Sequence, residues 1–168
     1  LSYNNGKLIG VSTSEIITYN HLNPPKSWEE ITDNGYIKKA HNPKGNALYV
    51  VSIGAVSRSG AGSALLEAQK NLARKLELEF LVLGARTPGY DKYCKENREI
   101  GIEDYANLKR ENNELFDDEL RFYTRNGLNL HKIIPYYMED DRESRNYGAI
   151  MIWKPWKENL IYSLSFLL

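Results

Sequence analysis

Two glycines and several small hydroxyl residues, which together could bind an anion, lie between an apolar segment and an amphipathic one. Residues 56–66 read VSRSGAGSALL, with Gly60 and Gly62 among small hydroxyl residues. The segment before them, LYVVSIGA (48–55), is rich in β-branched residues, as buried strands are, and residues 64–79 have the spacing of a helix. A strand that enters a helix through Gly-x-Gly leaves free N–H groups at the helix N-terminus, where a phosphate can approach closely. The stretch therefore predicts either an anion-binding loop or a plain tight turn.

Two common nucleotide-binding motifs are absent from this junction. The Walker loop needs four residues between its glycines and then a Lys, whereas five residues separate Gly54 from Gly60 and Ala61 follows. The dinucleotide-binding fingerprint needs a third glycine where Leu65 stands. A different nucleotide-binding β-α-β protein stays open as an alternative reading of the junction.

The elements that must position the loop form a predicted strand-helix-strand unit. A second apolar run, FLVLGA (80–85), follows the helix, which predicts two parallel strands joined by a crossover. The apolar face of the helix is predicted from residues at intervals of three or four, which are Ala61, Leu65, Ala68, Leu72 and Leu76.

Turn residues, apolar runs and helix-capping residues predict the remaining elements on both sides of this unit. Before the unit, we expect a strand or strand pair over 7–20, a surface excursion over 21–35 and a strand beginning at Gly35. After it, we expect a turn at 87–89, a helix over 99–112 and a helix capped by Asp117 and Asp118 that ends near Gly127. Strands over 129–137 and 147–154 flank a turn over 139–146.

The order of these features resembles the GCN5-related N-acetyltransferase (GNAT) family over residues 7–154. GAGSALL (60–66) matches the end of the family's acetyl-CoA motif, which reads Gln or Arg, two residues, Gly, one residue, Gly or Ala. FYTRNGL (122–128) matches a second landmark, a short helix with a tyrosine followed by three residues, Gly and an apolar residue. The sequence departs from the pattern at Ser57, which stands in the Gln or Arg position, and at Glu119, where a small residue is common.

The resemblance implies an α/β (α+β) fold: a mixed, mostly antiparallel sheet with a central splayed parallel strand pair, flanked by helices. It also implies one domain over 1–168 that lacks the family's usual N-terminal strand and helices. The apolar C-terminal extension at 155–168 lies beyond the resemblance, and we expect its residues 160–168 to pack at a sheet edge or at a homodimer interface.

The function implied by the resemblance is transfer of acetyl from acetyl-CoA to a small-molecule or peptide primary amine. Tyr123 would be the catalytic acid that protonates the leaving thiolate, and a backbone N–H near 53–55 would stabilise the oxyanion. The cofactor-binding residues would be Ile53, Gly54, Ala55, Ser57, Arg58, Ser59, Gly60, Ala61, Gly62 and Ser63. No carboxylate lies in the strand 48–55, Glu79 is expected to be solvated, and the base stays unassigned. The altered Ser57-Arg58-Ser59 loop and the expected lack of the family's N-terminal portion favour a competing interpretation, a non-catalytic acyl-CoA-binding or regulatory module.

Composition narrows the classes of partner. The 22 basic and 22 acidic side chains give no net charge, which argues against nucleic acid and anionic membrane as partners. The three histidines lack metal-ligand spacing, so no metal is expected, and the single Cys94 excludes an internal disulfide. No apolar run is long enough to span a bilayer, and we expect a cytoplasmic protein. Arg86 and Tyr90, which follow the strand 80–85, either border the acceptor site or belong to a structural turn.

Overall fold

The computed structural model describes residues 1–155. The strands in this range are β1 (Ser2–Asn4), β2 (Lys7–Ile17), β3 (Ala47–Ala55), β4 (Phe80–Ala85), β5 (Asn129–Ile134) and β6 (Gly148–Trp153). The helices are α1 (Trp28–Thr32), α2 (Ala61–Lys75), α3 (Tyr90–Glu96), α4 (Ile102–Ala106) and α5 (Asp118–Arg125). The strands form one sheet in the order β1-β2-β3-β4-β6-β5.

The two central strands are parallel and separate after three residues. Ala47–Tyr49 of β3 pairs with Phe80–Val82 of β4. Beyond these residues, β3 runs on to Ala55 and β4 to Ala85 without pairing with each other. All other neighbouring strands in the described sheet are antiparallel. The predicted fold class, a mostly antiparallel sheet with a splayed parallel pair, is confirmed.

A β-bulge at Val51 changes the direction of the side chains that follow it on β3. Consecutive residues of β2 pair with Val50 and Ser52, so that Val51 is an extra residue in the ladder. Its carbonyl accepts a hydrogen bond from the indole Nε1 of Trp28 instead, at 3.2 Å. Because the bulge shifts the alternation by one residue, Ile53 packs on the same side of the sheet as Val50.

The sheet has a core on each face. One core joins the sheet to α2 and α5, and its members include Leu48, Leu66, Leu81, Leu120 and Met151. The other lies under α1 and the segment before β6, with Ile17, Tyr49, Val82, Tyr137 and Ile150. We call the side of the sheet with the first core the α2/α5 face and the side with the second core the α1 face.

The predicted strand-helix-strand unit is confirmed, but the predicted face of the helix is wrong beyond its first turns. The buried residues of α2 are Ala61, Leu65, Leu66, Gln69, Lys70 and Ala73, whereas Ala68, Leu72 and Leu76 are exposed. Burial of the two polar side chains follows from their partners. Gln69 donates to Ser12 Oγ at 2.7 Å, and Lys70 donates to the carbonyl of Asn126 at the end of α5.

The segments between the strands differ most from the prediction. The expected helix over 99–112 is wrong, because the chain is helical only over Ile102–Ala106 and then turns through the Lys109–Leu115 bridge. The expected strand at Gly35 is also wrong, since residues 33–37 form turns in which Gly35 and Ile37 have positive φ. Helices α1 and α3 were not predicted.

The capping of α5 and the C-terminal strand pair are confirmed. The Asp117 carboxylate accepts the N–H groups of Glu119 and Leu120, at 3.0 and 3.1 Å, and Gly127 takes φ +81 after the helix. The expectation for 160–168 lies outside the described residues. Among the residues described, no helix combines the length and the apolar character that crossing a membrane requires.

Candidate functional site

A cleft of about 570 Å³ lies on the α2/α5 face, where β3 and β4 separate. Its lining residues are Ile53, Ala55, Val56, Ser57, Arg58, Gly60, Gly62, Ser63, Arg86, Glu119, Phe122 and Tyr123. The cleft therefore joins the glycine-containing loop to the tyrosine of the later helix, although about 60 residues separate them in sequence.

Three of the predicted cofactor-binding residues do not line this cleft. Gly54 lies on β3 opposite Val11 and near its side chain. Ser59 supports the turn, because its hydroxyl donates to the Val56 carbonyl at 2.6 Å and accepts the Ala61 N–H at 3.2 Å. Ala61 is buried between α2 and the sheet. These residues support the loop but do not line the cleft.

The loop reaches the helix through two residues with left-handed backbone. Arg58 has φ +58 and Gly60, the N-cap residue of α2, has φ +76. Glycine suits this conformation. In the first turn of α2, the Ala61 N–H donates to Ser59 Oγ, whereas the N–H groups of Gly62 and Ser63 have no acceptor within the helix. Arg58 is exposed at the rim and adds a positive charge there. This arrangement can hold an anion such as a phosphate.

Close packing of two helices explains the second glycine. A Cβ on Gly62 would lie 3.2 Å from Cζ of Phe122, a ring that also lines the cleft. Because that distance is shorter than most Cβ contacts, any side chain at this position would push Phe122 and change the cleft wall. Gly62 thus sets the approach of α2 to α5.

Tyr123 is half-buried on α5 with its side chain at the cleft. Burial raises the pKa of its hydroxyl well above the ordinary value of 10, and the neighbouring charge of Glu119 raises it further. The hydroxyl is therefore protonated at neutral pH and can donate a proton or a hydrogen bond.

Glu119 lies one turn before Tyr123 and is the acidic residue of the cleft lining. Its Oε1 accepts the backbone N–H of Arg86 at 3.1 Å. Burial raises the pKa of this carboxyl from 4.5 to about 7, against a smaller lowering by Arg86. The sequence indicated this residue only as a glutamate where the family commonly has a small side chain.

The Arg86 guanidinium is turned toward the 139–146 turn. It donates to both carboxylate oxygens of Asp141, at 2.9 and 2.6 Å, and to Glu143 at 2.8 Å. This pairing leaves the backbone N–H of Arg86 as the contact with Glu119. Tyr90, the other expected border residue, is buried and donates to the Ile100 carbonyl at 2.8 Å, which makes it structural.

Aromatic side chains close the same gap on the α1 face. Tyr49 and Tyr137 are fully buried, and their hydroxyl oxygens lie 2.6 Å apart. The Tyr137 ring lies directly on Gly84 and Gly148, where any Cβ would overlap it. Trp28 covers the bulge at Val51. Among the described residues, the splayed strands are thus covered on the α1 face and open on the α2/α5 face.

No group of three or more potential metal ligands comes together in residues 1–155. No family model matches the chain.

Two curated proteins of Bacillus subtilis (strain 168) are similar in sequence. The chain is 36% identical over 153 residues to the uncharacterized N-acetyltransferase YkwB, covering 89% of this chain and 65% of that protein. It is 34% identical over 151 residues to the probable hydrolase YhcX, covering 88% of this chain and 28% of that protein. The chain thus spans about two thirds of one relative and just over a quarter of the other.

Solved structures share the fold at low sequence identity. The loading GNATL domain of CurA from Lyngbya majuscula superposes with a TM-score of 0.76 at 20% identity, over 91% of this chain and 74% of that one. The GphF GNAT-like decarboxylase, solved in complex with isobutyryl-CoA, superposes with a TM-score of 0.73 at 22% identity, over 92% and 76%. Together, the shared fold and the sequence relationship confirm the resemblance to the GCN5-related N-acetyltransferase family, and the chain has a GNAT-like fold.

Proposed function

We propose that this domain is an acyl-CoA-dependent acyltransferase that moves acetyl from acetyl-CoA to a primary amine. The observation that carries the proposal is the single cleft that holds both the start of α2, with Gly60 and Gly62, and Tyr123. The name of YkwB and the isobutyryl-CoA complex of GphF support the use of an acyl-CoA.

The residues present fit coenzyme A at both of its ends. The first turn of α2 offers N–H groups and dipole to the pyrophosphate, and Arg58 offers a cation at the rim. Beyond Tyr49, the β3 edge that faces β4 has no strand partner within residues 1–155. The Val51 carbonyl accepts the Trp28 indole N–H, and the backbone groups of this edge after Val51 could hydrogen-bond the amides of the pantetheine arm. Ile53 and Ala55, turned toward the cleft by the bulge, would contact that arm.

Tyr123 would act on the leaving group. When an amine attacks the thioester, the C–S bond breaks and the sulfur leaves as a thiolate. A neutral tyrosine hydroxyl at the cleft can donate its proton to that sulfur, and its raised pKa ensures that the hydroxyl is protonated at neutral pH. A backbone N–H on β3 near Ile53–Ala55 would stabilise the oxyanion.

The closed α1 face favours a second candidate function, decarboxylation of an acyl-CoA, which is the activity named for GphF. That reaction needs no acceptor and therefore no second entrance. It leaves the thioester intact, whereas acyl transfer releases the free thiol of coenzyme A.

Calorimetry with acetyl-CoA, followed by thiol release with a panel of primary amines, tests the proposal. Binding and amine-dependent thiol release are expected. Binding without turnover would support the non-catalytic module instead, and release of CO₂ from malonyl-CoA without free thiol would support the decarboxylase. Absence of acyl-CoA binding would overturn all three.

A further inference from the structure

We propose that Glu119 is the general base of this site, taking the proton of the attacking amine while Tyr123 protonates the sulfur that leaves. The inference rests on the proposed acyl transfer and adds a residue for the half of the reaction that the family landmarks left unassigned.

The position of the carboxylate carries the first part of the argument. Glu119 and Tyr123 are four residues apart on α5, so their side chains lie on one face with Cβ atoms about 5–6 Å apart. Both line the cleft. The Arg86 N–H fixes Oε1 of Glu119, and Oε2 makes no hydrogen bond to any residue in the described range.

The composition of the cleft carries the second part. Among the described residues that line it, Glu119 has the one carboxylate, and the other titratable side chains are Arg58, Arg86 and Tyr123. Because the α1 face of the gap is closed by Tyr49 and Tyr137, the acceptor must reach the thioester through the open α2/α5 face, on which Glu119 lies.

The charges that face Glu119 explain why it can accept a proton. Burial raises its pKa to about 7, the charge and N–H of Arg86 lower it, and Asp117 before α5 and Asp141 in the 139–146 turn raise it. The Arg86 guanidinium is itself paired with Asp141, and Arg58 is the other cation in the cleft lining. A base with a pKa near the working pH combines a useful ionised fraction with much greater basicity than an ordinary glutamate.

The step balances without any further reactant. The amine nitrogen forms a bond to the acyl carbon as one of its protons passes to the Glu119 carboxylate. The C–S bond breaks, and the Tyr123 hydroxyl proton passes to sulfur. The products are an amide, free coenzyme A thiol, a protonated Glu119 and a Tyr123 phenolate, and one proton transfer between the last two, through water, restores both residues.

Glu119→Gln tests the assignment, because the amide keeps the size of the side chain and can still accept the Arg86 N–H. We expect unchanged affinity for acetyl-CoA and a kcat lower by about 10²-fold or more. In the wild type, kcat/KM should rise with pH with an apparent pKa of about 7, and this limb should be lost in the variant. Glu143→Gln, which removes an exposed carboxylate from the other side of Arg86, is the matched control and should keep the limb.

Two outcomes overturn the assignment and are distinguishable from each other. If the wild type turns over and Glu119→Gln has the same kcat and the same pH profile, Glu119 is structural while the proposed function stands. If the wild type binds acetyl-CoA but releases no thiol with any amine, the proposed function fails and the base with it. A ¹³C titration of the Glu119 carboxyl in the acetyl-CoA complex is a further check, since titration at the ordinary value near 4.5 would contradict the role.

Discussion

Among the described residues, burial raises the pKa of two glutamates, Glu119 and Glu15. Because their surroundings differ, the raised pKa has a different effect at each site. Glu119 faces a cleft and has one backbone donor. Glu15, on β2 opposite Tyr49, is only 2% exposed, and neither of its carboxylate oxygens has a hydrogen-bond partner in the described chain. Burial, followed by the charge of Asp33, raises its pKa from 4.5 to about 7. The same shift makes one residue useful for proton transfer and the other a source of pH-dependent stability.

Glu15→Gln should stabilise the fold increasingly as the pH rises. The folded chain holds the Glu15 proton more tightly than the unfolded chain does, so the wild-type free energy of unfolding falls between about pH 4.5 and pH 7. The glutamine does not titrate and avoids this loss. The variant should gain up to about 3 kcal/mol relative to wild type between pH 4 and pH 8. Urea unfolding at both pH values measures this, and a pH-independent difference would show that Glu15 does not have a raised pKa.

Tyr123→Phe removes one hydroxyl at the cleft and keeps the ring that packs beside Phe122. We expect nearly unchanged affinity for acetyl-CoA and a kcat lower by about 10²-fold, because the lost interaction acts on the leaving sulfur in the transition state. Calorimetry and single-turnover thiol release separate the two quantities. Equal loss of affinity and rate would instead make Tyr123 a binding contact, and loss of neither would make it a packing residue.

At the scale of elements, the site depends on how closely the start of α2 approaches α5. The contact between Gly62 and the Phe122 ring fixes that approach, and both residues line the cleft. The bulge at Val51 serves the same site from the sheet, since it turns Ile53 toward the cleft. Local irregularities in regular elements therefore create the cleft.

Gly62→Val should weaken acetyl-CoA binding by at least about 10-fold, or about 1.4 kcal/mol. The new Cβ would lie 3.2 Å from Phe122, and the branched side chain would displace the ring and crowd the helix start. Calorimetry with acetyl-CoA measures the loss, and circular dichroism checks the fold. Gly101→Val, at the start of α4 where only the Asp104 side chain is near, controls for a β-branched residue at a helix start. Normal affinity in folded Gly62→Val would show that the phosphate site lies elsewhere.

At the scale of the whole molecule, the sheet carries its cleft on one side because the other side is filled. Tyr137 comes from the segment before β6 and Tyr49 from β3, so the hydroxyl pair ties distant parts of the chain together under the splayed strands. Gly84 and Gly148 leave room for the Tyr137 ring. The packing of the α1 face thereby determines on which side of the sheet the cleft opens.

A double-mutant cycle on this pair tests that closure. Tyr49→Phe or Tyr137→Phe alone leaves one buried hydroxyl without its partner, which should cost about 1–3 kcal/mol of unfolding free energy. The double variant removes both hydroxyls and should cost clearly less than the sum of the single changes. Urea unfolding measures each term. Additive costs would mean that the two hydroxyls do not interact.

Features that depend on local chemistry could be predicted from the amino-acid sequence alone. The β-branched runs and the helix between them predicted the parallel pair, because these patterns reflect the side-chain periods of the two structures. Asp117 and Gly127 marked the ends of α5 since capping is local. Short motifs that this chain shares with the family predicted two parts of the site, the loop with Gly60 and Gly62 and the side chain of Tyr123.

The contacts between side chains that are far apart in sequence could be seen in the tertiary structure alone. Gln69 and Lys70 are buried on α2, where Ser12 on β2 and the Asn126 carbonyl after α5 accept their N–H groups, and hydrophobic periodicity cannot reveal such partners. The raised pKa of Glu119 and its contact with Arg86 depend on burial between elements far apart in sequence. The closure of the α1 face likewise depends on packing, so the side of the sheet on which the cleft opens was not available from the sequence.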